Sequence, residues 1–217
     1  MSSDPKPART RNPADRLSPV AGRHNQRLKE LRFAFRRAEL TPEGECAIEG
    51  VKLLEEAMRS GQHLNSVFFS ESARPLAEKL LPQIGARTEA LVLPNALFNS
   101  IVPSDAPQGV AALLKLPAFS TVQLLERSSD GPFIVTVGLQ DPGNLGTILR
   151  SAEAFGAAGI FLTEGTVSPY NWKVLRGSAG SVFRLPFVRI SSAELPTSAA
   201  DPCRAWAKPW FINELSG

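Results

Sequence analysis

Asn144 and Arg150 are the residues of this 217-residue chain best suited to chemistry. They stand in the run Asp141-Pro142-Gly143-Asn144-Leu145-Gly146, with Arg150 four residues further on and Phe155-Gly156 closing the stretch. A guanidinium presents a rigid fork of donors matched to phosphate and does not readily lose its proton. A carboxamide donates and accepts at once. Glycines at 143 and 146 let a backbone or a ligand come close. Together these groups can grip a phosphate ester and steady charge that develops beside it. On spacing alone, plainer readings stand alongside. Arg150 is then an exposed helix arginine, Asn144 a helix N-cap, and Gly143, Gly146 and Gly156 are structural. Glu153 lies opposite Ile148 and Leu149 and is read as solvated. A dinucleotide site would want Gly-x-Gly-x-x-Gly with an acid further on; the Gly143-x-x-Gly146 spacing fails that pattern and counts against a dehydrogenase.

The surrounding elements explain how such groups would be held. Residues 132–139 (PFIVTVGL) are apolar on both faces, the mark of a central parallel strand covered on each side. The motif follows at the point where this strand feeds a helix, which is where open α/β sheets place ligands. Ile148, Leu149, Ala152 and Phe155 give that helix an apolar face, and IFLTEG (160–165) is the next strand, completing a βαβ unit. A helix is expected from about Trp172 to Gly180, and a strand over 183–190. Upstream, strands at 46–48, 67–70, 90–93 and 109–116 alternate with helices at 51–60, 75–85 and 94–101. The fold class is therefore α/β, with a mostly parallel or mixed sheet in the first unit. From Asn25 to Leu40, Leu28, Leu31, Phe35 and Ala38 fall at helical spacing. Arg27, Lys29, Arg32, Arg36 and Arg37 fall on the other face. Residues 1–22, rich in Pro, Ser, Arg and Asp, read as a disordered basic tail. The last 27 residues, from Ser191, show no periodicity.

Composition narrows the function classes. Hydrophobic residues make up 43% and charged residues 21% of the chain, ordinary globular usage. No apolar run approaches the ~18 residues of a membrane span, and the N-terminus carries no secretory pattern. Two cysteines, Cys46 and Cys203, and two histidines, His24 and His63, offer no local metal site, and they suit a reducing cytoplasm. Cys46 opens an apolar strand and is read as core, and both histidines as surface residues. The first 40 residues hold ten Lys and Arg against four acids, while the remainder holds fourteen against seventeen. A basic first fifth on a slightly acidic body points to an anionic polymer such as RNA. A solvated helix face would account for the same charges.

With Asn144 and Arg150 included, LQDPGNLGTILRSAEAFGAAGIFLTEG (139–165) resembles motif 1 of the SpoU (TrmH) family of RNA 2′-O-ribose methyltransferases. LRGSAGSVFRLPFVRI (175–190) is similar to that family's Lys/Arg-x-Ser-x-Gly-x-x-Phe run. HNQRLKELR, IEGVKLLEEA and PQGVAALL resemble the L30e-like substrate-binding domain that precedes it. The resemblance implies a disordered tail at 1–22, an L30e-like RNA-binding domain at 23–118 and a SPOUT-type, knotted methyltransferase domain at 119–217. It implies transfer of a methyl group from S-adenosylmethionine to a ribose 2′-hydroxyl of ribosomal or transfer RNA, without a metal, by a cytoplasmic homodimer. Asn144 and Arg150 would be the catalytic pair. Arg27, Lys29, Arg32, Arg36, Arg37 and Ser178 would face RNA, with a local helix end as the plainer role of Ser178. The family's donor-binding motifs, a Gly-x-Glu-x-x-Gly loop and a Ser-Leu-Asn stretch, do not stand after Ile190. The expectation is a truncated or frameshifted member with an incomplete knot and no assignable cofactor-binding residues. A non-catalytic RNA-binding protein is the second reading.

Overall fold

A computed structural model describes residues 16–20 and 25–191, and the backbone of 211–213. Two sheets organise them. The first contains β1 (Leu17–Pro19), β2 (Cys46–Glu49), β3 (Leu64–Ser70), β4 (Glu89–Leu93) and β5 (Val110–Leu114), in the order β1-β4-β3-β5-β2. It is mixed: β4 runs parallel to β1 and β3, while β5 runs antiparallel to β3 and β2. Alternation along β3 separates two cores. Val67 and Phe69 pack beneath α2 (Val51–Arg59) and α3 (Arg74–Leu80), and Phe68 packs beneath α1 (Gln26–Arg37) and α4 (Asn95–Asn99). Burying both faces requires the apolar run these strands carry.

The second sheet holds β6 (Phe133–Thr136), β7 (Gly159–Thr163), β8 (Phe187–Ile190) and β9 (Phe211–Asn213), in the order β8-β7-β6-β9, with every pair parallel. One face carries α6 (Pro142–Ala154) and α7 (Trp172–Gly177), through Leu145, Leu149, Ile160, Leu162 and Val174. The other face buries Leu124 of α5 (Thr121–Leu125) with Phe133, Val135 and Phe161. The two sheets share one core. Leu175, Val182 and Phe183 sit in the same cluster as Cys46, Ile48, Leu53 and Leu54.

Three expectations are corrected here. The tail predicted over 1–22 contains a strand. Leu17–Pro19 pairs with Ala90–Val92, and Arg16 anchors it by donating to the carbonyls of Leu81, Ile84, Gly85 and Thr88 at 2.7–3.4 Å. Pro19 is tolerated because β1 is an edge strand. The aperiodic C-terminal stretch contributes β9, too short for periodicity to reveal. Glu153 is not simply solvated; Arg184 holds it. Cys46 is fully buried as expected, and burial pushes its thiol up to about 12. His63 is exposed, whereas His24 and Cys203 lie outside the described residues. No helix among the described residues is long and apolar enough to cross a membrane.

Candidate active site and RNA-facing surface

The carboxyl ends of β6 and β7 form a rigid ledge. Gly138 N donates to Thr163 Oγ1 at 3.1 Å, Thr166 Oγ1 donates to the Thr136 carbonyl at 3.3 Å, and Val167 N donates to the Leu139 carbonyl at 2.7 Å. These bonds lock the two loops side by side before α6 begins. The N-cap of α6 is Asp141, whose carboxylate accepts from Asn144 N at 2.6 Å. The cap reading of Asn144 is thus corrected. Pro142 occupies the first turn, where its missing N–H costs nothing, and this places the cap one residue earlier at Asp141.

Asn144 and Arg150 are both exposed on α6. Their six-residue separation sets them ~9 Å apart along the axis. They are not in contact; with Thr147 between them they form one inclined row on the solvent side. Arg150 makes no hydrogen bond or ion pair among the described residues. The helix carrying this row is pressed tightly onto α7. A Cβ built on Gly146 would lie 2.9 Å from both the Gly177 Cα and the Val174 carbonyl oxygen. That contact explains the glycine without invoking a ligand.

Ser178 is not at this surface. It is fully buried, and its hydroxyl donates to the Leu175 carbonyl at 2.8 Å, closing the end of α7. Its assignment to RNA contact is therefore corrected to the local helix-end role.

The basic residues of α1 divide into two groups. Arg27 is turned inward, where it pairs with Glu30 at 2.9 Å, Glu45 at 3.0 Å and Glu89 at 3.6 Å. Burial works against its charge, but the three carboxylates outweigh that and hold the guanidinium above its ordinary value. Its charge is spent inside the fold, which corrects its assignment to RNA. Lys29, Arg36 and Arg37 are exposed, and Arg32 is half-buried. With Phe33, 38% exposed, Lys29, Arg32 and Arg36 occupy about a 100° arc of the helix. Phe33 was absent from the predicted set, although its departure from the apolar spacing of Leu28, Leu31 and Phe35 marks it in the sequence.

A profile of the SpoU rRNA methylase family matches residues 131–201, the segment that holds this ledge and α6. A profile of the MRM3-like substrate-binding domain matches residues 25–112. A crystal structure of an RNA 2′-O-ribose methyltransferase is 30% identical, with a TM-score of 0.57, covering 82% of this chain and 67% of that one. The chain belongs to the SpoU family. Among relatives of that family, the Bacillus subtilis 23S rRNA (guanosine(2553)-2′-O)-methyltransferase RlmP is 27% identical over 174 residues, 80% of this chain. The SpoU methyltransferase AviRb from Streptomyces viridochromogenes, solved in complex with AdoMet, is 27% identical with a TM-score of 0.64 over 78% of this chain. The chain spans 65% of the length of RlmP and 64% of the AviRb chain. The two donor motifs expected after Ile190 do not stand in residues 191–217, of which the structure describes Ser191 and the backbone of 211–213.

Proposed function

We propose that this protein is an RNA 2′-O-ribose methyltransferase acting on ribosomal RNA, with S-adenosylmethionine as methyl donor. The observation that carries the reading is Arg150. It is an exposed guanidinium with no hydrogen bond or ion pair among the described residues, on the helix that leaves the carboxyl end of β6, inside the SpoU-matched segment. Most of the relatives' names carry ribosomal RNA and one carries tRNA/rRNA, which supports ribosomal RNA as the first substrate to test. The proposed domain division, 23–118 for RNA and 119–217 for methyl transfer, is supported by the two profile matches and the two sheets.

The ledge has room for one wall of the donor. A Cβ at Gly138 would meet nothing within 4 Å, and exposed Glu164 and Gly165 lie beside it, so bare backbone and a carboxylate face outward together. Gly138, Glu164 and Gly165 would hold the donor there, which when bound supplies an electrophilic methyl group on sulfur. Arg150 grips the phosphate next to the target ribose and offsets its charge. That grip would hold the target ribose in place beside the donor, the positioning that makes transfer between bound groups fast. Asn144, at the start of the same row, donates and accepts at the ribose. Lys29, Arg32, Arg36 and Arg37 supply salt-dependent phosphate contacts, and Phe33 offers a face on which an unpaired base stacks. A cytoplasmic homodimer belongs to the same proposal; Phe155, 86% exposed beyond α6, is the apolar group a second copy would cover.

The test is incubation of the chain with tritiated S-adenosylmethionine and either 23S rRNA or bulk transfer RNA. Methylation of a 2′-hydroxyl blocks alkaline cleavage at that nucleotide. The expected result is label in alkali-resistant dinucleotides from 23S rRNA, lost in Arg150→Ala. Absence of label together with absence of donor binding by calorimetry refutes the enzyme reading and leaves the RNA-binding one. Label in alkali-sensitive nucleotides would move the chemistry to a base.

A further inference from the structure

Glu153 lies three residues after Arg150 on α6. At that spacing Cβ atoms are ~5–6 Å apart, and an Arg and a Glu ordinarily pair. Here they do not. The Glu153 carboxylate is taken from the other side by Arg184, which follows the helical turn at 181–183. Arg184 Nε donates to Glu153 Oε1, and Nη2 donates to Oε2 at 3.1 Å, a two-pronged grip. The remaining Arg184 nitrogen, Nη1, reaches α2, donating to Glu56 Oε2 at 3.0 Å and to Ser60 Oγ at 2.9 Å. Arg184 is thus held on two sides, by Glu153 of α6 and by Glu56 and Ser60 at α2. The bond from Arg184, aided by Ser181, outweighs burial and holds the Glu153 carboxyl below its ordinary value, so it stays ionised. An ionised carboxylate one turn from Arg150 would otherwise neutralise the very guanidinium meant for phosphate.

We infer that Arg184 is a positioning residue that keeps Arg150 free for RNA by sequestering the Glu153 carboxylate. The inference rests on the reading of Arg150 as a phosphate-binding group. Arg184 touches no substrate; it acts through Glu153.

The test measures the affinity of the full chain for a 23S rRNA transcript by filter binding in low salt. Arg184→Met should weaken binding about fivefold, because a released carboxylate both competes for Arg150 and repels phosphate. Adding Glu153→Gln should restore it to within about twofold of the parent. Glu56→Gln, which removes only the charge of one α2 partner and leaves Ser60 and Glu153 in place, should leave affinity near the parent value. A purely structural role predicts the opposite pattern, with Glu153→Gln failing to rescue. Unchanged binding in Arg184→Met, or a double variant as weak as the single, overturns the inference. Arg150→Ala, run in parallel, separates the two layers. If it binds like the parent, the phosphate role of Arg150 fails and the inference goes with it. If it binds weakly while Arg184→Met does not, only the inference fails.

Discussion

Gly146→Ala tests whether the seat of α6 on α7 sets the geometry of the Asn144–Arg150 row. An added Cβ would lie 2.9 Å from Gly177 Cα, 2.9 Å from the Val174 carbonyl oxygen and 3.0 Å from Gly177 C. All three are backbone atoms, so no flexible side chain can swing aside. Ordinary contact lies at ~3.5–4.0 Å, so the helices must separate by roughly 0.7 Å. Alanine in a helix interior gains ~1 kcal/mol over glycine, and overpacking of a tight contact costs ~1–3 kcal/mol. Because backbone meets backbone, the cost lies at the upper end, leaving a net loss of about 1–2 kcal/mol. At ~2–4 °C per kcal/mol for a chain of this size, the melting temperature should drop by about 3–6 °C. Gly143→Ala is the control. Its Cβ would meet only Asp141 Oδ1, at 3.1 Å, and the position is exposed. It should change stability by no more than ~0.5 kcal/mol. Thermal melting followed by near-ultraviolet circular dichroism reads both variants. A displacement of this order is also enough to cost ~100-fold in a positioned transfer, so methyl transfer should fall far more than stability. If Gly146→Ala melts at or above the parent temperature, the close contact does not govern how α6 is seated.

Other perturbations have separate readouts. Arg16→Ala removes four bonds to loop carbonyls and should release β1, costing about 1–2 kcal/mol; amide exchange at Leu17–Val20 should accelerate while β3 stays protected. Ser178→Ala strands the Leu175 carbonyl and should lower stability by about 1 kcal/mol with RNA affinity unchanged; selective loss of RNA affinity would return Ser178 to the interface. Glu49 is half-buried, and burial raises its carboxyl despite Ser104 and Arg176. A carboxyl raised by folding destabilises the fold increasingly as pH climbs through and above its unfolded value. Glu49→Gln should therefore raise the urea midpoint at pH 7, with the gain vanishing below about pH 4; an equal gain at both pH values would refute the titration.

Local pattern carried the strands well. β6 was legible because Phe133–Thr136 is apolar on both faces, and α1 because Leu28, Leu31 and Phe35 recur at helical spacing. What pattern could not reveal depends on partners distant in sequence. β1 exists because Arg16 reaches carbonyls 65–72 residues away. Glu153 is held by an arginine 31 residues later, and Arg27 is cancelled by Glu45 and Glu89 as well as by its helical neighbour Glu30. Ser178 was misplaced because a hydroxyl near a helix end looks the same in sequence whether it faces solvent or its own backbone. Asp141 could have been recognised, since proline directly after a capping residue marks the start of a helix.

Leu175, Val182 and Phe183, with Tyr170 packed beside them, rest among side chains of the first sheet, so the two halves have no seam along which they can be exchanged freely. A chimera that borrowed only the first sheet of a relative, hoping to acquire its preferred RNA, would leave those four residues facing strangers. To transplant target choice, a designer would have to carry over the neighbours of Cys46, Ile48, Leu53 and Leu54 as one block, and the second sheet would have to be recut to receive them.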